Sequence, residues 1–144
     1  MKEYIIHDHL WGSKKEYDNF KSYIVPRLHD ILDKGYSVSW DRCSNWVKIT
    51  QFVGKYKSPK DNDLCKNMTF FAEIKVFSED STYGIKDGKI SKMGLRLRPS
   101  YPNMQFNREH QIHFFSYDRG DDVNDLKKDV KARKMYNDII KVFN

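Results

Sequence analysis

A chain of 144 residues with a net charge of +6, 32% charged and 15% aromatic residues is sized for one domain and has rings enough to bury a core. No uninterrupted apolar run exceeds three residues, so no membrane-spanning helix is expected. The basic excess is spread along the chain and forms no arm, so it permits an acidic partner without demanding nucleic acid.

The opening, MKEYIIHDHLWG, is charged at positions 2, 3 and 8 and lacks a secretory pattern. Cys43 and Cys65 form no C-x-x-C pair, which predicts a cytoplasmic protein with free thiols. The first element is a helix over 13–34. Ser13 and Glu16 make a capping box, and Tyr17, Phe20, Ile24, Leu28 and Ile31 recur at helical steps. Gly35 is its stop, and Pro26 predicts a kink over 22–25.

Strands follow. Tyr36, Val38 and Trp40 alternate with polar residues, and after the turn 41–45 a second extended run covers 46–56. A third covers 68–77, with Met68, Phe70, Ala72, Ile74 and Val76 on one face and Phe71, Glu73, Lys75 and Phe77 on the other. Asp87-Gly88 signals a hairpin turn, since both residues tolerate positive φ. The fourth strand, 89–98, turns Ser91, Met93, Leu95 and Leu97 inward and Lys92, Gly94, Arg96 and Arg98 outward. Gln111 to Tyr117 reads as a fifth strand. Tyr117-Asp118-Arg119-Gly120 reads as a strand-to-helix corner, and Asp121 or Asp122 as the cap of a last helix ending near Phe143. The order α-β-β-β-β-β-α predicts a single α+β domain: an antiparallel sheet of four to five strands flanked by an N-terminal and a C-terminal helix.

Candidate chemistry is sparse. Glu73-Ile74-Lys75, with Asp61 and Asp63 upstream, has the E-x-K pattern of a Mg²⁺-dependent nuclease, but any half-exposed strand displays such a pair. His7 and His9 make at most half a zinc site. No nucleophile elbow or phosphate-cradling glycine loop is present, so no catalytic set, metal or cofactor is expected. The basic strip is the better candidate. Lys92, Arg96 and Arg98 share one strand face, with Lys75 beside them and Lys89 at the strand's start, and such a row can meet phosphates or carboxylates. Its plain alternative is a solvated face guarded by charge.

The segment AEIKVFSEDSTYGIKDGKISKMGLRL, with SYDRGDD and a closing helix, resembles a family of small phage and mobile-element proteins. Lys75-Val76-Phe77, Tyr83-Gly84-Ile85 and Gly88-Lys89-Ile90-Ser91-Lys92 carry the resemblance, over 71–144. Met93 and Asp121 stand where that family has Leu and Trp. The resemblance implies an inhibitor of host defence, in particular an anti-CRISPR protein against a type II RNA-guided nuclease. A basic chain does not imitate DNA, so the implied mode is contact between the strand cations and an acidic surface of the nuclease. Direct nucleic-acid binding is the alternative, and the Mg²⁺-dependent nuclease a distant third.

Overall fold

The computed structural model describes residues 14–42, 44–56, 67–79, 84–99, 111–118 and 120–144. Helix α1 spans Lys14–Asp33 and ends on Gly35, whose φ of 95° is the left-handed stop expected of it. The helix continues through Pro26, which has no N–H for the Ser22 carbonyl. One residue on, Arg27 Nη1 turns back to the Tyr23 carbonyl at 2.8 Å and its guanidinium stacks on the Tyr23 ring.

Among the described residues, six strands form one antiparallel meander in sequence order: β1 Ser37–Trp40, β2 Trp46–Lys55, β3 Asn67–Val76, β4 Ile90–Pro99, β5 Ile112–Asp118 and β6 Asp121–Asn124. Helix α2, Val130–Phe143, closes the chain after a 3-10 turn at Leu126–Lys128. The sheet thus has one strand more than the sequence suggests. β6 takes up the two aspartates expected to cap the last helix. Asp129 caps it instead, accepting from Ala132 N at 2.9 Å while 2% exposed. The corner at Asp118 is therefore a β5–β6 turn, with Asp118 N donating to Gly120 O, and not a strand-to-helix joint.

Both helices pack on one face of the sheet. Val47, Ile49, Phe70, Ile74, Leu95, Leu97 and Phe114 bury against Phe20, Ile24 and Ile31 of α1 and Met135, Ile139 and Phe143 of α2. Two tyrosines tie the layers together. Tyr36 OH donates to Asp138 Oδ2 at 2.7 Å, and Tyr56 OH points between both oxygens of Asp129 at 2.7 and 2.8 Å.

The β3–β4 connection holds a second departure. Positive φ falls on Lys86 and Asp87, one residue earlier than an Asp-Gly turn requires, and Gly88 is extended. Gly88 serves close approach: a Cβ there would lie 2.4 Å from the Asn144 carboxamide. That carboxamide accepts from Lys89 N and Ile90 N and donates to Ile85 O, so the end of α2 fastens the hairpin. A bulge beside Val76 displaces Ser91 from the inward position, and Ile90 fills it. The Ser13 cap, His7, His9, His110, Asp61, Asp63, Tyr83, Arg119 and both cysteines lie outside the described residues.

Candidate binding face

With both helices on one side, the other face of the central strands is bare of any described helix. Strand alternation and register set its side chains in four rows. The first runs Trp46, Lys75, Lys92, Asp118. The second is Ser39, Lys48, Glu73, Gly94, Ser116. The third is Ser37, Thr50, Phe71, Arg96, His113, and the fourth Phe52, Thr69, Arg98. These rows hold five cations and two carboxylates.

The cations are arranged in like-charged pairs. Lys75 and Lys92 are directly opposite across β3 and β4, a placement that costs stability in a sheet. Lys92 has Asp118 Oδ2 at 3.6 Å, and Lys75 Nζ lies 5.7 Å from the Phe77 ring centroid. Two rows away, Arg96 and Arg98 share one ring. Their guanidinium carbons lie 4.6 and 3.9 Å from the Phe71 centroid, and this roof leaves Phe71 only 5% exposed. Burial first, then the adjacent Arg96 charge, holds the Arg98 guanidinium below its ordinary value; Glu73 pulls weakly the other way. Arg96 Nη1 is 3.7 Å from Glu73 Oε1, and its Nε is buried with no hydrogen-bond partner among the described residues.

Of the sequence-predicted residues, Lys75, Lys92, Arg96 and Arg98 come together on this face. Lys89 stands at the end of the strip: its carbonyl accepts from Phe77 N at 2.9 Å, which sets it beyond the Lys75–Lys92 pair, in the turn held by Asn144. Glu73 faces Lys48 across the strand and Arg96 on its other side, a cationic setting with one carboxylate. Among the described residues no three His, Cys, Asp or Glu side chains gather as metal ligands. Sequence reasoning missed Phe71 as the ring under both guanidiniums, and Trp46 and Lys48 as members of the face. The period-2 pattern of 46–52 carried the signal for the last two.

Among the described residues, two hollows adjoin the face. One of about 480 Å³ opens at the β1–β2 end and is lined by Ser39, Ser44, Trp46 and Lys48 among others. The other, about 410 Å³, lies between the start of α1 and the end of β3, where Glu16 and Glu79 offset Lys75. No helix of the described residues is long and apolar enough to cross a membrane.

Residues 52–144, nearly two-thirds of the chain, match DUF7678, a domain of unknown function. The chain belongs to that family. No curated protein and no solved structure matches it. The DUF7678 segment begins inside β2 and so includes the outward residues of β3, β4 and β5, while α1, β1, Trp46 and Lys48 precede it.

Proposed function

We propose that this DUF7678 protein is a binding protein that works by contact, seating the bare face of its sheet on an acidic protein surface. The observation that carries the reading is the two like-charged pairs, Lys75 with Lys92 and Arg96 with Arg98. Each costs the isolated fold electrostatic energy that a carboxylate-bearing partner would return. Guanidiniums already stacked on Phe71 lose little freedom when they take a carboxylate as a two-pronged fork.

The partner follows from the resemblance to phage and mobile-element proteins: an RNA-guided nuclease of the host cytoplasm, occluded at its catalytic domain or held from the docking movement that licenses cleavage. The test is cleavage of a guide-matched DNA by a type II nuclease with the protein added. Cutting should stop while target binding persists. Arg96→Glu combined with Arg98→Glu should restore cutting in a chain that still folds, with a melting temperature lowered only by the loss of the cation–π contacts to Phe71. Inhibition undiminished by that pair of substitutions removes these residues from the contact, and absence of inhibition removes the nuclease as partner.

A second reading has its own support. A bare antiparallel face with Trp46 and Phe52, the latter 63% exposed, beside Lys and Arg suits single-stranded nucleic acid. It requires a gel shift that weakens steeply with salt, and no shift at low salt excludes it.

A further inference from the structure

Gly94 stands at the centre of the bare face, in the interior of β4, paired with Glu73 on one side and Ser116 on the other. Glycine there has a cost: mid-strand it is about 0.5–1 kcal/mol less favourable than alanine. The fold gives nothing visible in return. The backbone is not left-handed, and a Cβ would meet no atom within 4 Å. The nearby β4–β5 bulge is carried by β5, which sets Phe114 as its extra residue. The other glycines inside or beside the β3–β4 hairpin are explained internally: a Cβ at Gly84 or Gly88 would lie 2.1 or 2.4 Å from its neighbour. Gly94 thus makes a gap in the outward side chains that no described residue fills.

Resting on the contact reading above, we infer that Gly94 is the floor on which the main chain of an extended acidic peptide segment of the partner lies. The surroundings favour that occupant. Outward residues of β4 recur about every 6.7 Å, the same repeat as same-face side chains of an extended peptide. A segment lying along β4 therefore brings alternate acidic residues to Lys92 on one side of Gly94 and to Arg96 and Arg98 on the other. Over Gly94 its backbone comes near Glu73, a carboxylate that accepts hydrogen bonds. A peptide offers N–H donors there, whereas a phosphodiester backbone offers only acceptors and would be repelled. The central ring, Phe71, is roofed by guanidiniums and offers a base no face to stack on.

The test uses a fluorescein-labelled alternating Glu-Ser dodecapeptide, read by anisotropy at low salt against the full chain, with melting temperatures recorded in parallel. Gly94→Val should weaken binding about tenfold with no fall in melting temperature, because the added side chain fills open space in a strand. If that variant melts lower, Gly94→Ala decides, since its single methyl has room in the fold; full binding by Gly94→Ala overturns the inference. Equal binding by wild type and Gly94→Val, with loss in the Arg96→Glu, Arg98→Glu chain, also overturns it but leaves the contact reading standing. A wild type that ignores the peptide and instead binds a single-stranded dT dodecamer overturns both in favour of nucleic acid.

Discussion

Phe70 and Phe71 are neighbours on β3 and both are buried, yet by different means. Phe70 is fully enclosed by apolar side chains, with Tyr56 and Phe114 rings at 5.4 and 6.1 Å. Phe71 is covered by two guanidiniums that solvent reaches from above. The inner face is held by packing that nothing can remove without unfolding. The outer face is held by charged side chains that lie over a single ring and stay within reach of solvent.

The sharpest way to break that contrast is truncation. Phe70→Ala should cost about 3–5 kcal/mol, as expected for a large ring lost from a packed core. Phe71→Ala should cost about 1–2 kcal/mol, mainly the cation–π contacts and one-sided packing. Urea denaturation of both variants checks this. Equal losses would mean that the arginine roof holds Phe71 as strongly as core packing holds Phe70, and the contrast between the two faces would fail.

The layer contacts come next. Tyr56→Phe removes the only hydroxyl pointed at the carboxylate of Asp129 among the described residues, and should cost about 1–3 kcal/mol as a charged hydrogen bond lost at a buried site. Burial, then the hydrogen bond and charge of the facing aspartate, pushes the Tyr56 and Tyr36 phenols well above their ordinary value. A raised phenol stabilises the fold fully below the unfolded value of about 10. That contribution is lost as pH climbs beyond it, so the melting temperature should fall above about pH 10. Tyr36→Phe or Tyr56→Phe should flatten that fall. Asp138 has the opposite sign. Burial raises it, but hydrogen bonds from Lys134 and Tyr36 and the charges of Lys134 and Lys34 outweigh this and hold it low. Its contribution is present above about pH 4 and is lost as pH drops through the lowered value.

These contrasts also show how far the sequence could be read. The alternation of 68–77 and 92–98 separates the two faces correctly because one buried face forces a period of two, and it fails at 89–91, where the bulge turns Ile90 inward in place of Ser91. The sixth strand was hidden because Asp121-Asp122-Val123-Asn124 is rich in residues depleted from strands and suited to turns. It forms at the sheet edge, where charge guards against further pairing. With both aspartates spent there, the helix cap passes to Asp129. The shared ring under Arg96 and Arg98 was out of reach, because it depends on Phe71 of one strand lying opposite Arg96 of the next. Register, and not composition, makes that site.

The smallest effect discriminates most finely. Gly88→Ala and Gly94→Ala each add one methyl to the same hairpin. At Gly88 the methyl must displace the Asn144 carboxamide, which holds Ile85, Lys89 and Ile90, so a loss of about 1–3 kcal/mol is expected as those bonds are given up. At Gly94 the methyl enters open space and should gain about 0.5–1 kcal/mol. Thermal melts of the two variants measured together test the contrast directly. A loss at Gly94 comparable to that at Gly88 would reveal an internal reason for that glycine and remove the case for an external one. A gain would mean that the chain forgoes stability at the centre of its bare face, which is where a partner would have to come closest.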